Sequence, residues 1–189
     1  MVGGWIQTYS GKKFDVMKPD AKAICIVDIA HALSNICRFT GHCKEFYSVA
    51  QHSLIVSSMF PTGSNEAMWG LMHDSPEAYI QDVARPVKQY LQTYVQMENR
   101  IVKVIAEKFE LQLPIPQVVL DMDDQVLMAE AEQLMRGDIT EWYTVATPAD
   151  VEIKPITSVE AEKQFLFRFY EIIEAIVQQE WTWKDYDQE

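Results

Sequence analysis

From Asp28 to Trp181 the apolar residues recur at helical spacing, and the runs are punctuated by proline, glycine and capping residues. That pattern points to a helical bundle. Ser48-Val-Ala-Gln51 has the form of a capping box and predicts a helix through about Met59, ended by Pro61 and Gly63. Thr157-Ser-Val-Glu160 is a second box and predicts a last helix to about Trp181. Asp28 can cap a helix to about Arg38, with Ile29, Ala32, Leu33 and Ile36 on one face; Ser64 can cap another from Asn65 to about His73. A short turn holds Glu77 to Ile80, and a long helix is expected from about Pro86 to Phe109. Pro116 can start a further helix through Met135, closed by Gly137. Residues 138–156 read as a surface excursion. Only the N-terminus departs from this period: Ile6–Tyr9 and Phe14–Val16 flank the turn-like Ser10-Gly11-Lys12-Lys13, the pattern of a small hairpin. The expected fold is therefore all-α, one helical domain over residues 1–189 with an N-terminal β-hairpin arm in 1–20 and a frayed tail over 184–189.

Length and composition agree with one domain: 189 residues, 48% of them apolar, suffice for a full core. A net charge of −12 argues against a nucleic-acid polymer as partner, because that affinity comes from neutralising phosphates with Lys and Arg. A small phosphorylated ligand is still compatible, since a bound ion and a few local cations can reverse the potential within one pocket. Cys25, Cys37 and Cys43 form no CxxC pair and read as free thiols of a reducing compartment. With no long apolar run and no leader pattern, the expectation is a cytoplasmic protein without a membrane partner, in the host cytoplasm if the source is viral.

Within the helices sit His52, the doublet His73-Asp74, and Asp123. Two imidazoles and two carboxylates make a mixed nitrogen and oxygen shell that suits one divalent ion, among Co, Mn, Zn, Fe and Mg. Pro76 ends the helix that carries His73, leaving the doublet at a helix end. Asp74 emerges from the apolar run Met68–Met72, where a carboxylate is costly unless it is paired or bound to a cation. Asp123 lies beside the stripe Val119, Met122, Val126 and Ala129, whereas Asp121 and Asp124 fall on neighbouring faces and are expected to be solvated. Cys37, His42 and Cys43 match no zinc-binding spacing, and His31 reads as a structural histidine.

These elements are similar to those of the HD-domain phosphohydrolase superfamily, whose signature is a His, a later His-Asp and a distal Asp around one divalent metal. Tyr47-Ser-Val-Ala-Gln-His52-Ser resembles its first-His helix. Met72-His-Asp-Ser-Pro-Glu-Ala-Tyr79 with Gln81-Asp-Val-Ala-Arg-Pro-Val-Lys88 resembles the block of small 5′-deoxynucleotidases and of phage and bacterial deoxynucleotide triphosphohydrolases. The resemblance runs from about Trp5 to about Met135. It implies that His52, His73, Asp74 and Asp123 are metal ligands, that Glu77 orients or activates the attacking water, and that Asp82 stands near the leaving oxygen. It further implies that Arg38 holds phosphate and that Phe39 packs against the nucleoside, in the place where the deoxynucleotidases carry Trp. His42 and Lys88 are further candidate substrate contacts. Leu120 stands where the triphosphate-cleaving relatives often carry a lysine, which favours monophosphates.

The expected activity is metal-dependent hydrolysis of small nucleotides, 5′-(deoxy)nucleoside monophosphate to nucleoside and phosphate. A dNTP triphosphohydrolase releasing triphosphate is the alternative. A nucleotide-binding or signalling module without catalysis is an alternative of another class. The last helix carries Phe165, Leu166, Phe169, Ile172, Ile173, Ile176 and Val177, a face wider than one stripe, so a homodimer or higher homo-oligomer is expected.

Overall fold

The computed structural model describes residues 4–140 and 146–186, the side chains through residue 179. It is mostly helical with a two-stranded antiparallel sheet. Strand β1 (Trp5–Gln7) pairs with β2 (Lys13–Asp15), Ile6 opposite Phe14, across the expected turn, which Gly11 closes at φ +81°. The hairpin is docked by Phe14, fully buried against the ring of Tyr79 at 3.9 Å.

Helix α1 (Ile26–Asn35) opens three residues earlier than the sequence pattern indicates, at Cys25, which makes no side-chain capping bond. The expected cap, Asp28, lies inside the first turn and is 2% exposed. Its oxygens accept from Ser10 N at 2.6 Å and Ser10 Oγ at 2.8 Å, so it is spent tying the hairpin to the bundle. The helix also ends before Arg38, because Cys37 leaves it to form a bridge with Ser48. A 3₁₀ turn (Phe39–Gly41) follows, with Phe39 and Thr40 at φ +54° and +55°.

Helices α2 (Val49–Ser58) and α3 (Asn65–Met72) start where expected: Ser48 accepts from Gln51 N and Ser64 from Ala67 N. They pack at unusually close range. A Cβ on Gly70 would stand 2.8 Å from Ser57 Cα, so only glycine lets the two backbones meet here. Ser57 Oγ donates to Ala67 O at 2.8 Å across the same contact.

Helix α4 (Glu77–Ile80) is a single turn, closed by Gln81 at φ +71°. The long helix expected from Pro86 to Phe109 is two: α5 (Arg85–Lys88) and α6 (Gln92–Lys108). The chain breaks at Leu91 (φ −112°, ψ 65°). The inward residues of α6 are Tyr94, Ile101, Ile105 and Ala106, whereas Val87 and Tyr90 are exposed; α5 lacks the apolar face that would hold it in line with α6. The break lets α5 lie beside α7 (Gln117–Leu134), where Arg85 reaches Asp123.

Helix α8 (Ser158–Tyr186) runs past Trp181 and includes the first residues of the expected tail; 187–189 lie outside the described residues. It packs across α1, α2 and α3 through Ala161, Phe165, Phe169 and Ile172. The excursion before it has no regular element in its described part, and 141–145 lie outside that part. Gln51 brackets it: Nε2 donates to Lys154 O at 2.7 Å and Oε1 accepts from Ile156 N at 3.1 Å. Among the described residues no helix is long and apolar enough to cross a membrane.

Candidate metal centre

Three helices bring the predicted ligands together. His52 is in the first turns of α2, His73 caps the C-terminus of α3, Asp74 follows it, and Asp123 comes from the first half of α7. Ser57 and Gly70 set the spacing between α2 and α3 that makes this possible.

His52 Nε2 lies 3.3 Å from His73 Nε2. Asp74 Oδ2 is 3.3 Å from His73 Nε2 and 3.7 Å from His52 Nε2. Asp123 Oδ1 is 3.0 Å from His52 Nε2 and 3.9 Å from His73 Nε2. Ligand atoms bonded to one ion at about 2.0–2.1 Å stand about 2.8–3.0 Å apart at octahedral angles and about 3.3–3.4 Å apart at tetrahedral ones. The two imidazoles and Asp74 can thus hold a metal ion, and Asp123 Oδ1 approaches both imidazole nitrogens.

The other ring nitrogens fix how the imidazoles are used. His73 Nδ1 is 2.9 Å from Gly70 O, which only accepts, so Nδ1 carries the proton. His52 Nδ1 is 2.7 Å from the buried Glu130 Oε1, also an acceptor. Neutral rings therefore turn two lone pairs toward each other and toward two carboxylates, an arrangement that is repulsive until a cation or protons enter.

The charges respond accordingly. Burial and Arg38 lower the His52 pKa, but Glu130 and Asp123 outweigh them and hold it at about 9. Burial likewise opposes a proton on His73, yet Asp74 and Asp123 raise its pKa. Against the pull of burial, the histidines keep Asp74 and Asp123 well below the usual carboxylate range. In the absence of an ion, protons on the imidazoles supply the positive charge this pocket demands.

Arg38 is buried behind the cluster. It donates from Nε to Glu130 Oε2 at 3.1 Å, places Nη2 3.0 Å from the same oxygen, and sets Nη1 3.5 Å from Asp74 Oδ2. Its guanidinium sits over the Phe39 ring at 5.6 Å. Phe39, Thr40 and Gln81 are non-glycine residues in the left-handed region; backbone strain of this kind collects at functional sites.

Glu77 is 7% exposed, and its Oε2 has no hydrogen-bond partner within the protein. Burial, then Asp74 and Asp82, push its pKa well above the ordinary value. Burial raises Asp82 as well, partly offset by Arg38. A cleft of about 1750 Å³ opens over the cluster and is lined by Arg38, Phe39, His42, Asp74, Asp82, Arg85 and Asp123 among others. Lys88 is not in that lining; its Nζ lies 2.5 Å from Glu98 Oε1.

Sequence reasoning passed over Glu130 and Arg85. Glu130 is two helical turns beyond Asp123, an acid between the buried Ala129 and Ala131; that is the signal that marks it. Arg85 donates to Asp123 Oδ2 at 2.8 Å and to Asp124, so Asp124 is paired rather than simply solvated. Asp121 is exposed, as expected, and accepts from Gln117 at 2.8 Å. His31 is structural: it stacks on Tyr9 at 3.7 Å and pairs with Glu162 at 3.0 Å. Burial and Cys37 push the Cys43 thiol up to about 11, which suits an inert thiol.

The fold and site together define a helical protein with a His/Asp group that could hold a metal ion. The chain is 38% identical over 174 residues to the uncharacterized protein YfdR of Escherichia coli (strain K12), across 90% of this chain and 96% of YfdR. It is 32% identical over 146 residues to the uncharacterized protein RCAP_rcc00048 of Rhodobacter capsulatus, across 71% of this chain and 74% of that protein. The chain belongs to the family of these proteins. No protein-family model matches it.

Proposed function

We propose that the protein is an HD-type, metal-dependent phosphohydrolase that cleaves 5′-(deoxy)nucleoside monophosphates to nucleoside and phosphate. The observation that carries this reading is the pair of Nε2 atoms at 3.3 Å, each with its ring proton committed elsewhere, beside two aspartates that line a cleft together with Arg38. His52, His73, Asp74 and Asp123 would hold the ion. When bound, it supplies Lewis acidity, polarising a phosphoryl oxygen and making a water acidic enough to attack near neutral pH.

The chain's own groups do the rest. The unpartnered Oε2 of Glu77 is the atom available to take the proton of the attacking water; positive charge in the site returns this carboxyl to its basic form. As the water oxygen bonds to phosphorus and the P–O5′ bond breaks, Asp82 gives its proton to the departing 5′ oxygen. Its raised pKa suits a donor. Arg38 offers its remaining N–H groups to the phosphoryl oxygens, held in place by Glu130. Phe39 and His42 line the cleft and would meet the nucleoside there.

A second reading, a dNTP triphosphohydrolase, is favoured by the cleft volume of about 1750 Å³ and by the half-exposed Arg85 in its wall, which together leave room and one more cation for a longer phosphate chain. Incubating the purified protein with a panel of dNMPs and dNTPs and Mn²⁺ or Co²⁺ separates the readings. Orthophosphate from dNMPs supports the first, and tripolyphosphate from dNTPs supports the second. Metal uptake and nucleotide binding without turnover of either class would leave a binding module and sink the enzyme reading.

A further inference from the structure

The Glu130 carboxylate stands at the crossing of two lines of the site. Oε1 receives the His52 Nδ1 proton at 2.7 Å and the Tyr47 hydroxyl at 2.7 Å. Oε2 receives Arg38 Nε–H at 3.1 Å, with Nη2 at 3.0 Å. Glu130 has no exposed surface, and neither do Tyr47 and His52. It is therefore a buried anion whose every partner is a donor, and it touches no solvent. The side chain comes from the second half of α7, the helix that two turns earlier presents Asp123 to the imidazoles.

We propose that Glu130 is the positioning residue of this site, one carboxylate that fixes both the tautomer of the metal ligand His52 and the orientation of the phosphate-facing Arg38. The assignment rests on the metal reading of the cluster. Its physical content is a conflict that an isosteric amide cannot resolve. In Glu130→Gln the single oxygen can face His52 or Arg38, but not both. With oxygen toward His52, the NH₂ group meets the donors of Arg38, which loses its counter-charge in a buried setting. With NH₂ toward His52, Nδ1 must accept, and the ring proton moves to Nε2, the atom turned toward His73 and the aspartates. One orientation frees the arginine and the other blocks the ligand atom. Ligating histidines oriented this way typically lose 10–100-fold in metal affinity when the carboxylate partner is changed.

The test uses Zn²⁺ alone as probe, followed by calorimetry, together with imidazole ¹⁵N shifts of the zinc-loaded full chain. The expected wild-type result is a His52 with Nδ1 protonated. Glu130→Gln is expected to bind zinc about 10–100-fold more weakly, and its zinc-loaded form to bind inorganic phosphate more weakly as well. Tyr47→Phe removes one donor to the carboxylate and leaves the tautomer alone, so its zinc affinity should fall by less than about tenfold, short of the loss in Glu130→Gln. Glu130→Gln with wild-type zinc affinity and Nδ1 still protonated would overturn the assignment alone. A wild-type chain that takes up no zinc would overturn the metal reading, and this assignment with it. If the amide variant fails to fold by circular dichroism, the wild-type spectrum decides: a zinc-loaded His52 with no proton on Nδ1 overturns the proposal.

Discussion

His52 and His73 present their Nε2 atoms to each other at 3.3 Å, each with its Nδ1 proton given to a buried acceptor. Removing a member of the set should therefore remove a ligand rather than reshape the bundle. His73→Ala and Asp123→Ala are expected to fold with native helicity and to lose the bound ion. Elemental analysis after dialysis checks this, with the wild-type chain near one ion per protein. Variants that retain wild-type metal would show that the ion sits elsewhere.

The metal-free protein should be pH-sensitive on the alkaline side. His52 has a folded-state pKa of about 9 against 6.5 when unfolded. A raised pKa contributes stability that is fully present below 6.5 and lost as pH climbs through about 9; for this fully buried ring the loss is on the order of 3 kcal/mol. Urea melts of the chelated protein at pH 6.5 and 9 should show that drop. The zinc-loaded protein should show much less of it, because a ligated imidazole has no second proton to lose. Equal drops in both forms would contradict the assignment of Nε2 to the ion.

Gly70→Ala should destabilise the fold without touching a ligand. The added methyl would stand 2.8–2.9 Å from the backbone of Ser57, which cannot move as a flexible side chain would. Overpacking of this kind costs about 1–3 kcal/mol. Forcing α2 and α3 apart also separates His52 from His73, so metal affinity should fall in step with the denaturant midpoint.

Arg85 separates the two candidate substrate classes. If triphosphates are turned over, Arg85→Gln should raise KM for dNTPs by about tenfold or more, the worth of a charged hydrogen bond, while KM for dNMPs changes little. An equal change for both would place Arg85 as a support for Asp123 alone.

The apolar stripe of α8 from which the sequence points to an oligomer is spent on the bundle at Phe165, Phe169 and Ile172, so a homodimer is proposed through the opposite, outer face. Phe167 is 72% exposed and Tyr170 57%, with Lys163 and Glu174 on the same exposed face. In an antiparallel pair centred between Arg168 and Phe169, Phe167 meets Tyr170 of the second copy, and Lys163 meets Glu174 twice. Light scattering should give a dimer mass for the wild type and a monomer for Phe167→Glu. Lys163→Glu should weaken the dimer, and Glu174→Lys in the same chain should restore it. A monomeric wild type would refute the arrangement.

The helical order and the convergence of His52, His73, Asp74 and Asp123 were legible in the sequence, because capping residues and an apolar period are local signals. Ser48, Ser64 and Thr157 all accept where expected. Asp28 was not legible as a hairpin anchor, since an acid at the head of an apolar run looks the same whether it serves its own helix or Ser10, eighteen residues away. The break at Leu91 was hidden for a related reason: nothing local stops the helix there, and the interaction that turns α5 away joins Arg85 to Asp123, thirty-eight residues distant. Lys88 reads as a phosphate contact in a linear block, and its pairing with Glu98 of α6, a neighbour brought near by the break, is invisible there. Glu130 carried a readable sign, an acid on a buried stripe in phase with Asp123, yet its partners Tyr47 and Arg38 come from another part of the chain.

Gln51 holds the segment before α8 by its main chain alone, through Lys154 O and Ile156 N. No side chain of that segment takes part in the grip. Side chains count one residue earlier: Ile153 is buried with Tyr47 and Leu134, so apolar character is required there, whereas Lys154 is exposed. The approach to α8 is thus fixed by two glutamines, Gln51 on α2 and Gln133 on α7, whose amides grip its backbone and are indifferent to the side chains they hold.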